Sequence, residues 1–286
     1  MLRRKFGWTG LVVPVIGMGT WNIEGRTRDA ERRGIEALRL GLDLGMKHID
    51  TAEMYGNGRS EELVAEAVAG RREQVFLVSK VMPSNASYEG TLKACERSLK
   101  RLNTDFLDLY LIHWPSSQYP IKETMRAMEK LADEAMIKFI GVSNFDLEQL
   151  REAQQALKKY RIACNQVLYH LAYRDIERDL LPYCTESEIA IVGYSPFGHG
   201  NFPSPQSKGG KVLAEIAKWH SSTVRQVALN FLTRHRALFT IPKAGNPDHI
   251  REMSGAVGNW RLTDEDIAAI DSTFPLSSSN KRLEMI

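Results

Sequence analysis

Lys47-His-Ile-Asp-Thr-Ala-Glu-Met-Tyr-Gly-Asn-Gly58 begins as a strand and ends as a loop. An apolar-centred run, 47–50, closes on a carboxylate, and the Gly and Asn residues after it carry Tyr55 into a turn. The next two apolar runs are built the same way: 75–80 closes on Lys80 and 106–113 closes on His113. Short apolar runs separated by longer amphipathic stretches are the pattern of βα units feeding a parallel sheet. In a barrel made from such a sheet, the carboxyl ends of all strands share one mouth, where these folds carry their active sites. Asp50, Tyr55, Lys80 and His113 are then expected in one pocket.

Outward from this stretch the alternation continues. Strand candidates centre near Ile16, Ile49, Leu77, Leu109, Ile140, Ala163, Val192 and Phe239. Between them, residues 30–44, 60–69, 88–102, 121–132, 147–158 and 176–186 carry apolar positions at helical spacing. Eight strands with interleaved helices predict an α/β fold, a closed (β/α)8 TIM barrel. The last interval has room for two helices, 212–220 and 224–235, after a Gly- and Pro-rich segment, 196–210, expected as a long loop at the mouth. Ahead of the first strand, Lys5-Phe6 and Val12-Val13 flank the turn-like Trp8-Thr9-Gly10, which predicts an N-terminal β-hairpin closing the barrel bottom. No stretch rich in Pro, Gly or Ser divides the chain, so 1–286 is expected to be a single domain.

Composition narrows the function classes. The 38 basic and 35 acidic residues are interspersed and give a net charge of only +3, so no footprint for nucleic acid or a membrane surface is expected. Cys95, Cys164 and Cys184 are far apart and form no CxxC, which argues against a disulfide framework or a zinc site and for a reducing, cytoplasmic setting. A basic start followed by the apolar stretch 11–18 imitates a secretory signal, but Pro14 and Gly17 interrupt it. No apolar run approaches the length of a transmembrane helix. No apolar stripe is left once the barrel helices are assigned, so a monomer is expected.

A phenol, an amine, a carboxylate and an imidazole in one pocket can protonate a carbonyl oxygen near neutral pH, provided that something else supplies hydride. A free phenol, with a pKa of roughly 10, is a weak acid for that work, and a neighbouring ammonium would lower it. Lys80 is placed to do so, Asp50 to hold Lys80 charged, and His113 to orient a carbonyl by a hydrogen bond. Other oxidoreductase and hydrolase signatures fail. Gly17-Met-Gly19 is followed by Asn22 where a dinucleotide fingerprint needs glycine, and none of the nine tyrosines has lysine four residues on. The histidines include no HExxH, and His199, His220 and His235 read as surface or helix-end residues, so no metal is expected.

The motifs Gly17-Met-Gly-Thr-Trp21, His48-Ile-Asp-Thr-Ala-Glu-Met-Tyr-Gly56, Val78-Ser-Lys80, Leu109-Tyr-Leu-Ile-His-Trp114, Ile140-Gly-Val-Ser-Asn-Phe145, Asn165-Gln166, Gly193-Tyr-Ser-Pro196 and Ile241-Pro-Lys243 occur in order along nearly the whole chain. In this the chain resembles the aldo-keto reductases. The resemblance implies a (β/α)8 fold, a nicotinamide cofactor bound without a Rossmann domain, and reduction of aldehydes or ketones. By position it implies Tyr55 as general acid, Lys80 and Asp50 as the pair that tunes it, and His113 as the group that orients the carbonyl. It places Ser143, Asn144 and Gln166 on the nicotinamide carboxamide and Tyr194 on the ring. Gly19, Thr20 and Asp50 join the cofactor-binding set, with Ser195, Phe197 and Gly198 in the loop after the seventh strand. Lys243, Ala244 and His249 follow at the anionic end of the cofactor. Trp21 and Trp114, with Tyr55 and His113, are implied as the walls of the substrate pocket.

The last motif departs from the family pattern. Members that prefer NADPH often carry Ser, Arg and Asn where Ala244, His249 and Met253 stand, and Arg251 is displaced from the expected position. NADPH is still favoured over NADH. Contact between His249 and a 2′-phosphate would make affinity fall as pH rises past neutrality. The connections after Trp114 and the tail after Phe274 are short, which predicts an open site that accepts several small carbonyl compounds. The main expectation is an NAD(P)H-dependent carbonyl reductase; the alternative is a cofactor-binding regulatory subunit on the same fold with little turnover.

Overall fold

The barrel is wound from eight parallel strands: β3 (Met18–Gly19), β4 (His48–Asp50), β5 (Phe76–Val81), β6 (Leu107–Ile112), β7 (Ile137–Ser143), β8 (Ile162–Leu168), β9 (Ala190–Tyr194) and β10 (Leu238–Ile241). Each pairs with its neighbour in sequence. Parallel bridges Ile16↔Thr240 and Gly19↔Lys243 join the first strand to the last and close the ring. Closure requires a close approach: a Cβ on Gly19 would stand 2.8 Å from the Ile241 carbonyl oxygen. The computed structural model describes residues 1–277 and 283–285.

All residues of β5, β6 and β8 are buried, as expected for parallel strands covered on both faces. The cover comes from α1 (Arg28–Asp43), α2 (Arg59–Val68), α3 (Tyr88–Leu102), α4 (Ile121–Asp133), α5 (Leu147–Ala156), α6 (Leu180–Glu186), α7 (Lys208–Trp219), α8 (Val224–Leu232), α9 (Pro247–Ser254) and α10 (Asp264–Thr273). Their starts are set by side-chain caps. Thr27 accepts from Ala30 N at α1, Ser87 from Gly90 N at α3, and Asp146 with Gln149 completes a capping box at α5.

Caps also explain where the helix expectations miss. Residues 176–186 do not form one helix: Asp175–Glu177 is a separate 3₁₀ turn, and Asp179 caps a helix that starts at Leu180. Ser207 accepts from Gly210 N and starts α7 ahead of residue 212. The two helices α9 and α10, begun by Asn246-Pro247 and by the Thr263–Asp266 capping box, complete the outer layer and were not anticipated. Among the described residues no helix is long and apolar enough to cross a membrane.

The expected hairpin is present, with β1 (Arg3–Lys5) antiparallel to β2 (Val12–Pro14). Its Phe6 ring lies 5.0 Å from Phe76 and 4.9 Å from Phe239, and Trp8 Nε1 donates to Ile162 O at 2.8 Å. Those partners stand at the amino ends of barrel strands. The hairpin therefore plugs the bottom and leaves the opposite end free.

Candidate active site

Asp50 is the last residue of β4, Lys80 lies near the end of β5, and His113 follows β6 directly. Neighbouring strands thus deliver all three to the same end of the barrel. Lys80 is fully buried; its Nζ donates to Asp50 Oδ1 at 2.5 Å and to Thr51 O at 2.8 Å. The second oxygen of Asp50 accepts from Gln166 Nε2 at 2.8 Å, so the carboxylate is satisfied on both sides. Tyr55 comes from the turn after β4. Its ring centroid lies 5.1 Å from Lys80 Nζ and 5.6 Å from the His113 ring.

Burial disfavours the Lys80 ammonium, but the charge of Asp50, helped by Tyr55, outweighs it and raises the amine above its ordinary pKa. Lys80 is therefore a fixed cation at neutral pH. For Tyr55 the balance goes the other way from the expectation: burial raises the phenol, and the opposing pull of Lys80 does not overcome it. Tyr55 keeps its proton in the resting site. His113 is pushed well below the ordinary imidazole value, first by burial and then by Lys80, and is neutral. Trp114 stacks on it at 3.8 Å, and among the described residues His113 Nδ1 has no hydrogen-bond partner.

A second group of polar side chains sits beside these. Asn144, in the left-handed region at φ 63°, donates from Nδ2 to His113 O at 3.0 Å and to Ser143 Oγ at 3.1 Å. Its Oδ1 accepts from Tyr194 OH at 2.8 Å. Ser143 Oγ and Asn144 N both donate to Gln166 O. The ends of β6, β7, β8 and β9 are thereby tied into one polar floor.

The floor and the Tyr55 group line a single cleft of about 670 Å³, within the range of small-molecule sites. It brings together Gly19, Thr20, Trp21, Asp50, Tyr55, His113, Trp114, Ser143, Asn144, Gln166, Tyr194, Ser195, Phe197 and Lys243. Lys80 lies beneath the surface rather than on it. Gly198 and Ala244 are buried and do not line the cleft, and the Ala244 N–H donates to Gly19 O at 2.9 Å. His249 is exposed on α9, outside the lining. Met253 is a core residue, and Arg251 is held by Asp248 at 3.0 Å.

Sequence reasoning missed Met54, Pro196, His199, Gly200 and Ile241 as lining residues. His199 is the instructive case. Its backbone is left-handed at φ 49°, between left-handed Gly198 and Gly200, and this turns its ring to within 5.0 Å of Trp21 across the mouth. The flanking glycines were the one available signal. His220, by contrast, pairs with Asp266 at 2.6 Å on the outer surface. A larger surface groove of about 900 Å³ runs between α5 and the connection ahead of α6. Its lining mixes acids and arginines and includes none of the strand-end groups, so it is not the candidate site. Among the described residues no group of three His, Cys, Asp or Glu is placed to hold a metal.

The model of the aldo/keto reductase family matches residues 15–274. The chain is 40% identical over 287 residues to methylglyoxal reductase YeaE of Escherichia coli (strain K12), with all of both chains covered. It is 35% identical to glyoxal reductase of Bacillus subtilis (strain 168), over 92% of this chain and 90% of that one. Among solved structures, an aldo-keto reductase from Klebsiella pneumoniae in complex with NADPH superposes with a TM-score of 0.92 at 38% identity, covering 100% of both chains. With that sequence and fold similarity over its full length, the chain belongs to the aldo/keto reductase family.

Proposed function

We propose that the protein is an NADPH-dependent reductase of small aldehydes and ketones, with Tyr55 as the proton donor. The observation that carries this reading is the buried Asp50–Lys80 pair beneath Tyr55, with neutral His113 facing the same cleft. When bound, reduced nicotinamide supplies hydride for the carbonyl carbon. The chain's residues do the rest. Neutral His113 donates a hydrogen bond to the carbonyl oxygen and orients it. As negative charge develops there, the Tyr55 hydroxyl gives up its proton, because a phenol is a far stronger acid than the alcohol being formed. Lys80 stabilises the phenolate left behind, and Asp50 keeps Lys80 charged and in place.

The residues present fit the cofactor. Ser143, Asn144 and Gln166 offer the hydroxyl and amide groups that a carboxamide needs, since they both donate and accept. Tyr194 offers a ring for the nicotinamide, Gly19 and Thr20 a close backbone wall, and Ser195, Phe197 and Gly198 the start of the loop that borders the cleft. Lys243 supplies charge for the anionic end, with Ala244 and His249 following it. Trp21 and Trp114, with Tyr55 and His113, offer the walls around the reacting carbonyl. The relatives named for methylglyoxal and glyoxal support small α-oxoaldehydes as substrates, and so does the mouth, where Trp21 is 45% exposed.

We also read the chain as a single domain, 1–286, monomeric and cytoplasmic. The free, buried Cys95, Cys164 and Cys184 support a reducing compartment, and the scattered exposed apolar side chains support a monomer. The test is oxidation of NADPH and NADH in the presence of dicarbonyls, simple aldehydes and ketones at neutral pH. Turnover with NADPH on dicarbonyls is expected. Tight NADPH binding without turnover on any carbonyl would overturn the reading and favour a binding subunit, for which no observation speaks at present.

A further inference from the structure

Tyr55 stands on a turn, so the sheet ladder alone does not fix its distance from Lys80. The β4–β5 pairing persists a little way past Asp50: Thr51 N donates to Val78 O at 2.9 Å, and Glu53 N to Lys80 O at 3.4 Å. Beyond that the chain winds left-handed through Gly56, Asn57 and Gly58, at φ 55°, 52° and 91°. Met54 is exposed and Tyr55 only partly covered. A phenol carried on such a turn needs a tether elsewhere if it is to stay over Lys80.

The Glu53 side chain provides one. It is buried, yet it does not line the cleft. Its Oε1 accepts from Met82 N at 2.8 Å and from Asn85 Nδ2 at 3.0 Å, while Oε2 faces Arg97 Nη2 at 3.5 Å. Met82 comes two residues after Lys80. One carboxylate therefore clamps the base of the Tyr55 turn to the segment by which the chain leaves Lys80. Removing a carboxylate from water is costly, and here the donors that offset the cost all come from the β5–α3 connection and α3.

We propose that Glu53 is a positioning residue for Tyr55: it holds the Tyr55 turn against the Met82 backbone N–H and the Asn85 side-chain amide and so sets the Tyr55–Lys80 separation. The action is geometric rather than electrostatic. Apart from burial, the groups that bear on the Tyr55 phenol are Lys80 and Asp50, and Glu53 is not among them. A neutral isostere that keeps the same acceptor should therefore keep the function. The inference rests on Tyr55 being the proton donor.

The test compares Glu53→Ala, Glu53→Gln, Asn85→Ala and Tyr55→Phe in the full chain. The readouts are kcat, KM and the pH dependence of kcat for methylglyoxal reduction at saturating NADPH, together with NADPH affinity from tryptophan fluorescence. Glu53→Ala is expected to lower kcat by about ten- to a hundredfold and to displace its basic limb, with NADPH affinity held within about twofold. Glu53→Gln should return kcat to within about threefold of the parent, because its Oε1 still accepts from both donors. Asn85→Ala should show a smaller loss in the same direction. The inference is overturned if Glu53→Ala folds and keeps both its kcat and its basic limb, or if Glu53→Gln is as damaging as Glu53→Ala. Should Glu53→Ala not fold, parental kcat and basic limb in Asn85→Ala overturn it as well. Tyr55→Phe separates the two levels: full turnover there sinks the proton-donor reading, whereas its loss beside unaffected Glu53 variants sinks the positioning role alone.

Discussion

Burial and charge act on Tyr55 in opposite senses, and burial prevails. A phenol raised above its ordinary value is protonated throughout the neutral range, so kcat for reduction should be flat there and fall only above roughly pH 10. His113 is held neutral, well below its ordinary value, so no inflection is expected near roughly pH 6.5, where a free imidazole titrates. A pH profile of kcat checks both, and a limb near that pH would contradict the neutral role of His113. Lys80→Met should abolish turnover and also destabilise the fold by about 3–5 kcal/mol, because Asp50 is left buried and unpaired; urea denaturation measures the second effect. These four residues were legible in the sequence because each is a polar group closing or following an apolar run, and barrel topology does the rest. The net direction of the Tyr55 shift was not legible: it depends on how deeply the ring is covered. His199 was not legible either, because a left-handed turn between two glycines carries its ring to Trp21 across the mouth.

Charged clamps join elements, and one of them ties the turn ahead of α6 to Arg234, 57 residues further along the chain. Glu177, in the 3₁₀ turn ahead of α6, accepts from Arg174 and Arg234 at 2.8 and 2.7 Å and from Tyr169 OH at 2.5 Å. Burial works against its carboxylate, but Arg174, Arg234 and Tyr169 outweigh it and hold the pKa at about 2. Its folded value is below the unfolded one. The clamp thus contributes fully above roughly pH 4.5, up to about 3 kcal/mol, and is lost as pH falls toward 2. Glu177→Gln should lower stability at pH 7 and flatten its decline between those limits, as denaturant titrations across acid pH would show. A second junction is steric: a Cβ on Gly58, at φ 91°, would stand 2.5 Å from Arg101 Cδ. Gly58→Ala should cost about 1–3 kcal/mol, read as a lowered Tm. Periodicity alone was enough to find α3 and α4, whose apolar faces are regular. It misplaced the starts of α6 and α7, where single capping residues decide, and passed over α9 and α10.

At the scale of the whole molecule, the two ends of the barrel do different work. The hairpin with Phe6 and Trp8 seals the amino ends of the strands, and the cleft opens at the carboxyl ends. Phe6→Ala should therefore destabilise by about 3–5 kcal/mol through the cavity it leaves, while the folded fraction keeps its kcat. Loss of turnover without loss of stability would contradict that division. The barrel class, its closing hairpin and the end at which the polar strand-end groups gather were readable from the run pattern; the register that lets Gly19 meet Lys243 and close the ring was not. The central claim is that Tyr55 delivers the proton in a site whose remaining parts bind cofactor and carbonyl. Its most direct measurement is single-turnover reduction of methylglyoxal by the NADPH-loaded protein, parent against Tyr55→Phe, with NADPH affinity determined in parallel. A loss of about a hundredfold or more at unchanged NADPH affinity is predicted; equal rates in the two proteins would contradict it.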